Sequence, residues 1–165
     1  MNITEDEKIE IHANLPDLVN HLYDGESEAY TLAFTCVFDH WLDGEEFYRI
    51  FEADAIEVKE RQNKFKSLIH YLYESTPIYV ARFRRDRKSN LSFKKIKDLK
   101  TLDKKCQFYI LNEDWGGQFR FLIPQYSLIY TQSWDWTHLV EYSNKEKYNE
   151  FEKLVNKFDL YCLEK

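Results

Sequence analysis

Four short runs of aromatic and β-branched residues follow one another closely in the third quarter of the chain, and they constrain the fold more than any other feature. The runs are residues 107–111, 118–123, 126–131 and 137–142. Only a few residues, rich in Gly, Pro, Asn and Asp, separate each run from the next. Parallel neighbours need a crossover of a dozen or more residues, so the pattern predicts an antiparallel meander.

Helical periodicity appears on both sides of this meander. Apolar residues three or four apart predict a helix over 54–73. Another apolar stripe follows Ser143 and Glu146, which stand at capping-box spacing and predict a helix to about residue 157. A short helix over 15–23 is predicted to begin at Asn14.

Four other stretches are assigned from weaker patterns. Residues 28–41 fit either a strand or a helix, and we assign a helix. Residues 78–84 alternate as a strand, with a solvated, basic side formed by Ile78, Val80, Arg82 and Arg84. The lysine-rich piece 90–102 is predicted to be a short helix or an irregular crossover. Residues 160–163 are predicted to form a last short strand.

The chain is therefore predicted to be a single α+β domain over residues 1–165. N-terminal helices would pack on a mainly antiparallel sheet of four to six strands, with a further helix near the C-terminus. Residues 1–10 are polar and are predicted to be frayed. With 12 Phe, 12 Tyr and 4 Trp against 4 Gly and 3 Pro, the composition excludes collagen-like, low-complexity and disordered classes.

The cellular compartment of the protein is predicted from targeting and membrane features that the sequence lacks. No apolar run is long enough for a membrane span, and the acidic start lacks the features of a secretory signal. Three widely spaced cysteines form no disulfide framework. We therefore expect a cytoplasmic protein with free thiols and no membrane association.

The net charge of −6 hides a strong segregation along the chain. Residues 1–60 contain 16 acidic and 3 basic residues, a net charge of −13. Residues 61–105 contain 14 basic and 4 acidic residues, a net charge of +10. These two parts either present opposite charges to partners or lie side by side and neutralise each other.

No motif identifies a chemistry. Cys36, Asp39 and His40 lie close together, but zinc needs three or four ligands and no second pair of ligands completes the set. No nucleophile sits on a sharp glycine turn, and no glycine-rich phosphate loop is present. We therefore expect no metal, no cofactor and no enzymatic activity, although an enzyme without a recognisable motif stays a possible alternative.

The acidic segment, residues 39–60, mixes carboxylates with aromatic residues in the pattern typical of a surface that captures a basic protein. The predicted partner-binding residues are Trp41, Asp43, Glu45, Glu46, Tyr48, Glu52 and Asp135. Within this segment Phe47, Ile50 and Phe51 are predicted to face the core. Trp41 itself is either an exposed anchor or a core residue.

The basic segment, residues 82–105, supports a different interpretation. Its cations could grip a nucleic-acid backbone, with Tyr79, Phe83 and Phe93 interleaved. The basic residues are Arg82, Arg84, Arg85, Arg87, Lys88, Lys94, Lys95, Lys97, Lys100, Lys104 and Lys105. Because the whole chain is acidic, its long-range field opposes such binding, and nucleic-acid binding is the alternative function.

In size, acidity, α+β layout and absence of catalytic signatures, the chain resembles the small cytosolic immunity proteins that neutralise bacterial polymorphic or contact-dependent inhibition toxins. The resemblance covers the whole chain and involves no signature motif. It implies tight binding to one cognate toxin domain, often a basic nuclease, by blocking its active site or a nearby exosite.

Overall fold

Seven strands form one antiparallel sheet in the computed structural model, which describes residues 3–25, 27–83, 91–106, 120–133 and 135–164. The strands are β1 (Thr31–Cys36), β2 (Tyr79–Phe83), β3 (Leu91–Lys95), β4 (Arg120–Ile123), β5 (Leu128–Thr131), β6 (Thr137–Tyr142) and β7 (Tyr161–Glu164). Their order across the sheet is β3-β2-β4-β5-β6-β1-β7, and each neighbouring pair is antiparallel. The predicted α+β class is confirmed, with one strand more than expected.

Helices cover both faces of this sheet. They are α1 (Glu5–Asn14), α2 (Leu18–Asp24), α3 (Tyr48–Phe51), α4 (Ala55–Ser75), α5 (Leu99–Lys105) and α6 (Lys145–Asn156). The buried residues of α1 and α2 join a small core with Tyr79, Leu122 and Ile129. Those of α4, α5 and α6 join a larger core on the other face. The sheet therefore lies between two helical layers.

The meander is the part of the fold that the sequence predicted best. Strand β6 coincides with the predicted run 137–142, and β4 and β5 lie inside the predicted runs 118–123 and 126–131. The predicted run 107–111 lies outside the described residues. The predicted helix over 54–73 is confirmed as α4, and β7 confirms the predicted last strand.

The helix predicted over residues 28–41 is wrong, because β1 occupies this stretch. β1 lies between β6 and β7, and its backbone pairs on both sides. Ala33 and Thr35 are fully buried on one face of the sheet, whereas Leu32 is exposed on the other. Local periodicity could not show these two distant neighbours, which decide the structure.

Two predictions for the basic part of the sheet are also corrected. Ile78 and Val80 are buried rather than solvated, because helices cover both faces of β2, and of the described residues on that side only Arg82 is exposed. The stretch 90–102, predicted as a short helix or crossover, contains β3 and the first four residues of α5. β3 pairs along its whole length with β2.

The helix starts differ from those predicted. Helix α1 occupies most of the stretch expected to be frayed, and Thr4 and Glu7 form a capping box at its start. Asn14 ends α1 instead of capping the next helix, which starts after Asp17 in a left-handed conformation with φ of 52°. Asn144, not Ser143, caps α6 by accepting a hydrogen bond from the Lys147 amide at 3.0 Å.

Candidate protein-binding surface

The acidic segment leaves the end of β1 and runs across the molecule to α4 with almost no regular structure of its own. Its only helix before α4 is the single turn α3. Phe38, just before it, is buried in the larger core, and Leu42 and Ile50 pack partly against that core. Apolar side chains therefore fix the segment at three points and leave the rest at the surface.

Arg61 of α4 holds the base of this segment. The side chain is only 7% exposed, and one guanidinium nitrogen donates to the backbone oxygen of Arg49 at 2.8 Å. Its guanidinium lies over the rings of Phe38 and Trp136, at 5.0 and 5.5 Å from their centroids, and pairs with Glu57. A buried charge with these partners stabilises the segment through hydrogen bonding and cation–π contact.

Arg61 is the residue of this region that sequence reasoning missed, although a signal existed. It lies three residues after Val58 and four before Phe65, on the buried stripe of α4. A charged residue at an apolar position of a helix indicates a buried partner.

Two of the predicted contact residues, Glu46 and Asp43, are used inside the segment. Glu46 accepts from His40 Nε2 at 2.9 Å and from Arg49 at 2.9 Å, and Asp39 contacts the other ring nitrogen of His40 at 2.6 Å. Asp43 accepts from the amides of Glu45 and Glu46 at 2.9 and 3.1 Å. Both carboxylates therefore shape the loop, and Asp43 is also exposed.

These contacts shift the pKa values of Asp39, His40 and Glu46. The hydrogen bond from His40 lowers the pKa of Glu46, and the bond to His40 likewise lowers that of Asp39. In return, the hydrogen bonds to Glu46 and then to Asp39 raise the pKa of His40. A protonated His40 is therefore the form that ties both ends of the loop together.

Several aromatic and aliphatic side chains of the segment stand in solvent. The exposed fractions are 46% for Trp41, 53% for Phe47, 56% for Tyr48, 52% for Phe51 and 72% for Ile56. The prediction that Phe47 and Phe51 face the core is wrong, and only Ile50 of the three packs against it. Clustered exposed side chains of this size mark interaction surfaces.

Trp41 is neither a buried core residue nor fully free. Its ring packs edge-on against Phe34 of β1, with centroids 4.9 Å apart. Its indole nitrogen donates to the backbone oxygen of Glu164 on β7 at 3.3 Å. About half of the Trp41 side chain therefore remains accessible, and these two contacts hold it in one orientation.

The remaining predicted residues differ in their surroundings. Glu45 and Glu52 are exposed and form no ion pair within the described part of the chain. Asp135 lies apart on the β5–β6 connection, is half-buried, and accepts from the Thr137 amide at 3.2 Å. Burial raises the pKa of Asp135. Asp135 thus shapes its own turn, and it lies next to Trp136, on which Arg61 packs.

No protein-family model matches this chain, and comparisons with curated proteins and with solved structures find no similar protein. The site therefore has to be interpreted from its own geometry.

That geometry separates the acidic segment from the basic one. Six inter-strand steps of about 4.8 Å place β3 and β7 roughly 29 Å apart, several times the Debye length of about 8 Å in physiological salt. Every ion pair of the acidic segment within the described residues is formed with a residue of that segment or with Arg61. The basic segment is partly neutralised by α1 instead, where Glu7 binds Lys95 at 2.9 Å.

Three cations of the basic segment lie near one another at the β3 end of the sheet. Arg82 and Lys94 are diagonal neighbours on one face of the β2–β3 pair. Burial first, and then the charges of Arg82 and Lys94, lower the pKa of Lys105. Four further cations of the predicted nucleic-acid surface, Arg84, Arg85, Arg87 and Lys88, lie outside the described residues.

The candidate metal and nucleophile residues are placed unfavourably for such roles. Cys36 is buried, burial raises the pKa of its thiol, and its sulfur lies 3.5 Å from the Thr137 hydroxyl. Burial raises the pKa of Cys106 and of Cys162 to about 12. Within the described ranges, no three His, Cys, Asp or Glu residues are grouped as a metal site would require.

One buried histidine, His138, lies among aromatic side chains of the core. His138 stacks on Phe65 with centroids 3.9 Å apart, and its Nδ1 lies 2.6 Å from the Tyr130 hydroxyl. Burial lowers the pKa of His138 to about 3, so it stays neutral inside the core.

In the part of the chain that the structure describes, no helix has the length and apolar character needed to cross a membrane.

Proposed function

We propose that the protein is a cytoplasmic protein-binding inhibitor of the immunity type, which neutralises a cognate toxin domain by direct contact through the acidic segment. The observation that carries this proposal is the exposure of three aromatic side chains in the same segment as Glu45 and Glu52, two exposed carboxylates that form no ion pair within the described residues. The aromatic residues are Phe47, Tyr48 and Phe51. Aromatic anchors supply binding energy, while the surrounding carboxylates attract a basic partner.

Of the predicted residues, we expect those with exposed side chains to meet the partner. Trp41, Tyr48, Glu45 and Glu52 present exposed side chains. Glu46 and Asp43 act chiefly by fixing the loop, because their oxygens are bonded within it. Rigid presentation of a few aromatic side chains lowers the entropy lost on binding.

Charge removal tests the proposal most directly. A Glu45→Gln, Glu52→Gln variant is compared with Glu10→Gln, Glu150→Gln, which makes the same charge change on exposed residues of α1 and α6. A toxin domain sought in the reading frames next to this gene serves as partner, and surface plasmon resonance measures both rates at several salt concentrations. We expect the first variant to lower the association rate roughly threefold or more at low salt, with a weaker salt dependence and an unchanged dissociation rate.

Neutralisation of the toxin in cells that express both proteins gives the functional readout. The wild-type chain and the α1/α6 control should protect equally. A toxin domain that binds both variants at wild-type rates would remove the acidic segment from consideration, and no binding at all to that domain would refute the immunity role.

A further inference from the structure

The two outer strands of the sheet are protected very differently. β3 carries Lys94 and Lys95, and charged lysines on an edge discourage other strands from pairing with it. β7 consists of Tyr161, Cys162, Leu163 and Glu164, with no lysine, arginine or proline. All four residues pair with β1, and no other strand of the described residues pairs with β7. Apart from the Glu164 carbonyl, which accepts a hydrogen bond from the Trp41 indole, the described part of the chain leaves the outer side of β7 without a strand partner.

Two half-exposed aromatic side chains bracket this open edge. Trp41 lies at the Glu164 end, where its indole donates to the Glu164 carbonyl and its ring rests on Phe34. Phe34 is in turn the pairing partner of Leu163. Tyr161, 42% exposed, stands at the other end of β7. A molecule that covers Trp41 therefore reaches the β7 edge without crossing a gap.

We propose that the outer edge of β7 pairs with an extended, basic segment of the protein partner, which becomes an eighth strand of the sheet. This proposal rests on the proposed function and specifies how the partner is held. Backbone hydrogen bonds along β7 would add affinity, and alternating side chains of the added strand would add selectivity. The four residues of β7 span roughly 13 Å, enough for a short strand.

Charge favours a basic segment of the partner over a second copy of this chain at the β7 edge. A second copy paired through β7 would bring two acidic segments together around the shared edge, because Trp41 ties the segment to this strand. Like charges at short range oppose that arrangement. Lysine or arginine side chains on an added strand would instead approach Asp39 and Asp43, which flank Trp41 in the chain and are exposed.

The probe is a synthetic ten-residue peptide that alternates lysine with valine and threonine, blocked at both ends and added to the full-length protein. NMR follows amide hydrogen exchange and chemical shifts. We expect exchange at residues 161–164 to slow at least threefold at saturating peptide, with a shift of the Trp41 indole signal. The same peptide with every backbone nitrogen methylated cannot donate to a strand and should have no effect.

A matched pair of variants separates edge pairing from general attraction. Tyr161→Lys protects β7 as the lysines protect β3, whereas Tyr71→Lys makes the same change at a tyrosine of α4 that is 44% exposed. We expect the first to weaken peptide binding at least fivefold more than the second.

Three results would overturn the proposal: no slowing at 161–164, an equal effect of the methylated peptide, or equal binding of a peptide with glutamate in place of lysine. Dimerisation through β7 in sedimentation experiments would assign the edge to a second copy and also overturn it. Because the peptide replaces the cognate partner, the edge can fail while Glu45 and Glu52 still govern toxin binding, and the reverse can also occur.

Discussion

The acidic and basic segments carry opposite charges at opposite ends of one sheet. They also differ in the burial of their apolar residues. The basic segment buries Phe93, Ile96 and Leu102. Its described cations stand on regular strands and a helix, except Lys97, which lies between β3 and α5. The acidic segment exposes Phe47, Tyr48 and Phe51 on a loop with one helical turn. Charge alone therefore does not distinguish a solvated face from a binding surface, whereas exposed aromatics beside unpaired charge do.

The largest contrast is expected in stability. Arg61→Ala removes a buried cation that supports the acidic segment, and we expect the free energy of unfolding to fall by roughly 3 kcal/mol. Arg82→Ala, on the exposed side of the basic segment, should change it by less than about 0.5 kcal/mol. Urea denaturation measures both, and equal losses would contradict the assignment of Arg61 as the support of the loop.

Binding should show the next largest effect. Tyr48→Ala removes an exposed anchor, so we expect about 2 kcal/mol of binding free energy to be lost, mainly as a dissociation rate about 30-fold faster. Its thermal stability should stay close to the wild type, because Tyr48 is more than half exposed. Tyr23→Ala, at an exposed tyrosine of α2, serves as control and should bind normally. A Tyr48 variant with wild-type kinetics would exclude Tyr48 as an anchor.

The loop that carries these anchors should respond to pH through His40. Because Glu46 and Asp39 raise the pKa of His40 in the folded state, its contribution to holding the loop is complete below about pH 6.5. That contribution is lost as the pH rises through the raised value. NMR titration should place the pKa of His40 above 6.5, with faster amide exchange at 39–46 once it is deprotonated. Glu46→Gln should return the pKa of His40 towards 6.5. A pKa of His40 at or below 6.5 in the wild-type protein would disprove that this histidine holds the loop through Glu46 and Asp39.

The smallest effect is expected at the basic end. The chain has a net charge of −6, and a few phosphate contacts by Arg82, Lys94 and Lys105 release few counterions. We expect no gel shift of a 30-nucleotide strand or duplex at sub-micromolar protein in about 0.15 M salt. If the wild-type protein shifts the nucleic acid in the gel and the double variant Arg82→Gln, Lys94→Gln does not, the basic segment and not the acidic one would be the binding surface, which favours nucleic-acid binding.

Sequence could predict those parts of the fold whose partners are close in the chain. β4, β5 and β6 follow one another through short turns, and the alternation of 137–142 was enough to predict β6 to the residue. The prediction for residues 28–41 was wrong for the opposite reason, because both strands that pair with β1 lie more than 100 positions later in the chain. Its apolar residues also satisfy a helical face, so no local rule separates the two structures.

The candidate site was predictable in composition and not in detail. Aromatic and acidic residues between Asp39 and Glu60 mark the region in the sequence. Which carboxylates stay free depends on tertiary contacts, such as those of Glu46 with His40 and Arg49. The role of Asp135 could have been predicted from the sequence alone. Its carboxylate accepts from the amide two residues later, at Thr137, and an aspartate in that position is a local turn signal.

The sheet position of β1 also affects when the acidic segment that follows it can take up its structure. β1 pairs with β6 and β7, and both of these strands lie more than 100 positions later in the chain. Trp41 and its hydrogen-bond partner on β7 are separated by 123 positions. Closing loops of that length costs entropy before any contact repays it, which slows folding. We therefore expect insertion of β1 to be a late step of folding, so that the exposed aromatic residues of the acidic segment stay without their scaffold until β6 and β7 are in place.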